Sequence, residues 1–156
     1  RLDGEVQTTM TQSSAAGNFS DRGVVMPVVT YEDVLNNVQT AERLVMDARA
    51  ADRLAGQNET LDPVGGHIPG AINHFYKQNL NSDGTFKTAE QMTAQFQSLI
   101  GQRRAEYLIM QCGSGVSACH NLLALQTVGL GTAPLYVGSW SEWCSREGAP
   151  IATDTN

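Results

Sequence analysis

Residues 107–111, YLIMQ, form a run of strand length, apolar from Tyr107 to Met110, that leads directly into a cysteine and a glycine-rich turn. A strand with one face in water alternates apolar and polar residues. A run that is apolar throughout is buried on both faces, the habit of parallel sheets covered by helices. APLYVG at 133–138 is a second run of this kind, and RLVMDARA at 43–50 is a third that ends on Asp47 and Arg49. AINHFY at 71–76 and GVVMPVV at 23–29 supply two further strand candidates.

Helical patterns lie between these runs. Thr30 is placed to N-cap a helix through YEDVLNNV, and Thr88 with Gln91 forms a capping box opening AEQMTAQFQSLI. After the cysteine turn, Ala118, Leu122, Leu125 and Val128 recur at helical spacing, which predicts a helix starting near Ser117. Repeated β-α units of this sort predict an α/β domain with a parallel sheet and helices on both faces, carrying its chemistry at the strands' carboxyl ends. Asp47, Arg49 and Cys112 all fall at such ends.

Residues 1–22 are rich in Thr, Ser, Gly and Gln with no sustained period and read as a linker or tail, so the domain is expected over 23–156. The net charge of −6 and the absence of a basic stripe argue against a nucleic-acid partner. The apolar runs fall far short of a membrane helix, so no membrane association is expected. Cys112, Cys119 and Cys144 make an odd count without C-x-x-C spacing, which fits free thiols and a cytoplasmic setting.

Cys112 stands one tight turn before a helix N-terminus. Gly113 and Gly115 permit positive φ, so successive N–H groups can turn inward and, with the helix dipole, favour an anion at the loop's centre. A thiolate is such an anion, and it is the nucleophilic form of cysteine. The alternative is a cysteine that only packs, the reading taken for Cys119 and Cys144.

Other chemistries fit the loop less well. A cysteine phosphatase needs arginine six residues after its nucleophile, and position 118 is alanine. Gly113, Gly115 and Ala118 satisfy G-x-G-x-x-G/A, but the acidic residue expected about 20 positions on is missing. A serine elbow at Ser114 would need glycine where Cys112 stands. The cysteines and His67, His74 and His120 show no metal-ligand spacing, and no metal or cofactor is expected. His67 and His74 read as turn or surface residues, His120 as a helix residue.

CGSGVSA at 112–118, followed by LYVGSWSEW at 135–143, resembles the catalytic domain of rhodanese-family sulfurtransferases, especially the 3-mercaptopyruvate type. DARAADR at 47–53, GHIPGA at 66–71 and DGTFK at 83–87 look like further family signatures in the expected order. The resemblance implies a rhodanese-like parallel five-stranded sheet between helices and a persulfide carried on Cys112. It implies that Arg53 binds the donor's anionic end and that Gly113, Gly115, Val116 and Ser117 complete the donor-binding loop. Ser114 matches a loop serine of the mercaptopyruvate type and could relay a proton, with Asp47 and Arg49 supporting from the strand end. The donor implied is 3-mercaptopyruvate, with thiosulfate as the alternative; the acceptor is a thiol, cyanide or a thioredoxin-like protein.

One departure stands out. The mercaptopyruvate type often carries a second arginine about where Thr60 stands here. The family also has two-domain members, and the linker-like start fits a C-terminal half whose partner is an N-terminal rhodanese-like domain of the same protein. A persulfide carrier or regulatory module that never turns over a small donor is the remaining alternative.

Overall fold

The structure is a computed structural model that describes residues 26–153 and, before them, residues 8, 9, 17, 18 and 20. Most of the expected 1–22 tail, with residues 23–25 and 154–156, therefore lies outside the described residues. The elements follow in the order β1 (Val28–Val29), α1 (Tyr31–Thr40), β2 (Leu44–Asp47), α2 (Ala51–Leu54), β3 (Ile72–Asn73), α3 (Ala89–Ile100), β4 (Leu108–Gln111), α4 (Val116–Thr127), β5 (Leu135–Tyr136) and α5 (Ser139–Ser145). Short 3-10 turns occupy Tyr76–Asn79 and Ala105–Tyr107.

The five strands form one parallel sheet in the order β1-β5-β4-β2-β3. β4, the YLIMQ run, is the central strand, and all four of its residues are buried. Alternation along it feeds two cores. Met46, Leu108, Met110 and Cys112 pack with Phe96 of α3 and Leu122 and Leu125 of α4. On the opposite face, Val45, Ile109 and Tyr136 pack with Val34 of α1 and Trp140 and Trp143 of α5. Both faces are thus apolar because both are covered.

Local signals explain the helix starts. Thr30 and Asp33 make a reciprocal capping box on α1, and Thr88 and Gln91 make the expected one on α3. α4 starts at Val116, one residue before the expected point, with Gly115 as its N-cap. The edge strands are shorter than the apolar runs that contain them. β1 keeps only Val28 and Val29 of GVVMPVV, and AINHFY turns into a 3-10 segment after β3.

The histidine reading needs correction. His67 and His74 are 1% and 2% exposed, so neither is a surface residue. His67 donates from Nδ1 to the Leu54 carbonyl at 2.8 Å, and its backbone pairs with Ala152 in an antiparallel bridge that ties the C-terminal segment to the domain. His74 donates from Nε2 to Asn79 Oδ1 at 2.8 Å, and burial holds its imidazole below the usual basicity. Asn79 donates on to Asn121, which returns a bond to the His74 carbonyl, so a buried polar ring joins the 3-10 turn after β3 to α4.

Candidate active site

The loops after β2, β3, β4 and β5 converge on one cavity of about 470 Å³ at the sheet's carboxyl edge. β2 contributes Arg49 and Arg53, the 3-10 turn after β3 contributes Tyr76 and Lys77, β4 contributes Cys112, Gly113, Ser114 and Ser117, and α5 contributes Ser141. Cys112 itself is 2% exposed, yet it lines this cavity. It lies where the central strand ends, the position at which an open α/β sheet presents ligands.

The turn after Cys112 is built by backbone geometry. The carbonyls of Cys112 and Gly113 accept from the Trp140 and Ser141 amides at 3.0 and 2.9 Å, and the Cys112 amide donates to Ser139 Oγ at 3.1 Å. Ser139 Oγ donates in turn to the Tyr136 carbonyl, so α5 holds the loop from behind. The Gly113, Ser114 and Gly115 amides have no protein acceptor among the described residues, and α4 has no side-chain cap. These amides and the free first-turn N–H groups of α4 form the cradle that the glycine spacing predicts.

Only one of the two glycines uses positive φ. Gly115 sits at φ +81°, and a Cβ there would lie 2.7 Å from the Val137 carbonyl oxygen, so both conformation and space demand glycine. Gly113 has no positive φ; a Cβ there would lie 3.8 Å from an Arg53 guanidinium nitrogen. Glycine at 113 therefore leaves the loop backbone close to that cation. Ser114 is exposed and Ser117 half-buried on the cavity wall, whereas Val116 is 74% exposed and, like Gly115, does not line the cavity.

Behind this loop, Asp47 and Arg49 form a buried ion pair. Arg49 donates from Nε and a terminal nitrogen to the Asp47 carboxylate, the shortest contact being 2.6 Å, and also to the Gly66 carbonyl at 2.7 Å. Its guanidinium lies 4.7 Å from the Trp140 ring. Trp140 and Trp143 are fully buried and do not line the cavity, and they belong to α5, which the sequence pattern did not identify as a helix.

Arg53 is held differently. Its guanidinium makes a forked contact to Glu59, the closest distances being 2.7 and 2.9 Å, and reaches Asp62 at 3.4 Å, while its side chain stays 20% exposed at the cavity. Glu59 accepts further bonds from the Leu61 and Asp62 amides. Burial pushes the Glu59 carboxyl up, but the Arg53 guanidinium and these amides outweigh it and hold the group below the usual carboxylate range. Thr60 is exposed, so the loop that could have carried a second arginine instead delivers two carboxylates to Arg53.

Sequence reasoning missed Glu59, Asp62, Lys77, Ser139 and Ser141. None of them recurs with a helix or strand period, and their placement depends on contacts between loops of different strands. Cys119 is exposed on α4 with its thiol 3.4 Å from the Gly115 carbonyl; Cys144 is half-buried, and burial pushes its thiol up. Among the described residues, no group of three or more His, Cys, Asp or Glu is placed to hold a metal ion, and no helix is long and apolar enough to cross a membrane.

A parallel α/β sheet with a backbone-cradled cysteine at its central strand end defines a class of cysteine-loop α/β domains. The chain belongs to the rhodanese-like domain family, whose model matches residues 30–146. It is 48% identical over 109 residues to a probable 3-mercaptopyruvate sulfurtransferase of Pseudomonas aeruginosa, covering 70% of this chain and 38% of that protein. It is 39% identical over 120 residues to a thiosulfate sulfurtransferase of Rattus norvegicus, covering 75% and 40%. Among solved structures, the 3-mercaptopyruvate sulfurtransferase from Leishmania major superposes with a TM-score of 0.67 at 31% identity, covering 80% of this chain and 34% of that one. The chain thus spans about two fifths of the length of the curated relatives it matches.

Proposed function

We propose that this domain is a sulfurtransferase that moves a sulfane sulfur from 3-mercaptopyruvate to a thiol or cyanide through a persulfide on Cys112. The observation that carries the reading is Cys112 at the floor of a cavity framed by four strand-end loops, inside a turn whose free amides are left for an anion. Relatives bearing both the 3-mercaptopyruvate and the thiosulfate name support the transferase class. The neutral Gly113 and Ser114 favour mercaptopyruvate.

In this mechanism the Cys112 thiolate attacks the donor's sulfur, and the carbon–sulfur bond breaks with its electron pair going to carbon. Cys112 then carries S–SH, and pyruvate leaves as its enolate, which takes up one proton at carbon. Ser114, exposed at the cavity, can relay that proton because its hydroxyl both donates and accepts. The cradle amides stabilise the thiolate before the attack and again when it is released. Arg53 positions the donor carboxylate. An acceptor thiolate then attacks the outer sulfur, leaves as its own persulfide and returns Cys112 to thiolate; cyanide leaves as thiocyanate with release of the proton.

Asp47 and Arg49 act from behind, by ordering the loop that carries Arg53. An N-terminal rhodanese-like domain of the same protein, a thioredoxin-like acceptor and a reducing cytoplasmic setting complete this reading. Steady-state assays with both donors test it: the expected result is repeated release of pyruvate with mercaptopyruvate and a much lower kcat/KM with thiosulfate. Equal or better turnover of thiosulfate would contradict the donor assignment, and a single sulfur uptake without repeated pyruvate release would identify a carrier instead.

A further inference from the structure

Three cations line the cavity, Arg49, Arg53 and Lys77, and one carboxylate, Asp62. Asp47 pairs with Arg49, Glu59 and Asp62 pair with Arg53, and Lys77 has no carboxylate within ion-pair distance among the described residues. Asp47 neutralises Arg49 in the core, away from the ligand, whereas Asp62 lines the cavity itself and reaches the guanidinium that faces Gly113. Lys77 stands exposed at the mouth with its ammonium 5.9 Å from the Phe75 ring.

We infer that Asp62, backed by Glu59, is a charge filter that weakens the cavity's hold on dianionic donors more than on monoanionic ones. This rests on the proposed sulfurtransferase reading and adds to it the residue that disfavours dianionic donors. A monoanion can still use the Arg53 nitrogen beside Gly113 and the free loop amides, since one carboxylate needs few donors. A second negative charge on the ligand has the unpaired Lys77 at the mouth, but beside Arg53 it meets the Asp62 carboxylate. The repulsion scales with ligand charge, so whatever factor Asp62 costs a monoanion is squared for a dianion. At moderate salt, a carboxylate within a side-chain length of the ligand is worth about threefold per ligand charge, hence about tenfold for a dianion. Glu59 also anchors the loop through the Leu61 and Asp62 amides, so Asp62 is the cleaner position to vary.

The test measures how well sulfate and acetate protect Cys112 from a neutral alkylating agent, iodoacetamide, at constant ionic strength, in the unchanged protein, Asp62→Asn, Asp62→Glu and Glu106→Gln. Glu106 is an exposed carboxylate paired with Arg104, and its variant controls for a change of one net charge. In Asp62→Asn, the half-protecting concentration should fall about tenfold for sulfate and about threefold for acetate. Asp62→Glu should restore the original values, and Glu106→Gln should leave them unmoved. An equal shift for both anions, as a loosened loop would give, or no shift, overturns the filter. A parallel assay of turnover should show the thiosulfate-to-mercaptopyruvate ratio of kcat/KM rising about threefold in Asp62→Asn. Failure of every variant to turn over either donor would count against the sulfurtransferase reading, while the protection constants would still decide the filter.

Discussion

Arg49 and Arg53 lie four residues apart, one in the turn after β2 and one on α2, and each makes a forked contact to a carboxylate, yet their surroundings differ in kind. Arg49 is 4% exposed, spends its donors on Asp47 and the Gly66 carbonyl, and is covered by Trp140. Arg53 is 20% exposed on its side chain and faces the cavity beside Gly113. Arg49 keeps one buried terminal nitrogen, Nη1, without a hydrogen bond, 3.6 Å from Glu59, but turning its guanidinium to a ligand would unpair the buried Asp47. Arg53 holds Glu59 and Asp62, whose side chains are only 5% and 8% exposed, and keeps a terminal nitrogen on the Gly113 side of the cavity. Burial of the guanidinium separates the arginine that builds the loop from the one able to bind a ligand.

The contrast breaks first at Arg49. In Arg49→Met, Asp47 is left fully buried without its counter-ion, which should cost about 3–5 kcal/mol in urea unfolding. A loss below 1 kcal/mol would mean that the pair contributes little to the fold. Arg53→Gln should cost only about 1 kcal/mol of stability, because Glu59 keeps its two amide bonds and has an Arg49 nitrogen 3.6 Å away. The same substitution should raise the donor KM about tenfold or more by removing a charge-assisted contact. An unchanged KM would move the donor's anionic end elsewhere.

The smallest effect is in acid. Because the Glu59 carboxyl is held below its ordinary value in the folded protein, the unfolded chain binds the extra proton first as pH falls. Its contribution is therefore complete above the ordinary carboxylate value, near 4.5, and is lost as pH drops through the lower folded value. The slope of stability against pH should be positive there and flatter in Glu59→Gln. An unaltered slope would show that the Arg53–Glu59 contact carries no linkage.

The parallel sheet and the cysteine loop were legible because their signals are local. β4 is apolar through Leu108, Ile109 and Met110, α3 starts at a capping box, and Gly115 sits where the turn needs positive φ. α5 was not legible because seven residues with Trp140 and Trp143 three apart are too short to establish a period. His67 is buried through pairing with Ala152, 85 positions away in the chain, a contact no local pattern encodes. Glu59 and Asp62 were opaque for the same reason: a polar, proline-punctuated loop reads as solvated until the fold brings it against Arg53. Sequence reasoning thus singled out Cys112 and Arg53, which both line the cavity, and missed Glu59 and Asp62, the carboxylates that pair with that arginine.

Mass spectrometry of the protein after treatment with 3-mercaptopyruvate tests the central claim most directly. The account predicts one added sulfur, about 32 Da, that vanishes in Cys112→Ser and persists in both Cys119→Ser and Cys144→Ser. A sulfur that remains on Cys112→Ser, or that disappears with Cys119→Ser, would contradict the assignment of Cys112 as the sulfur carrier.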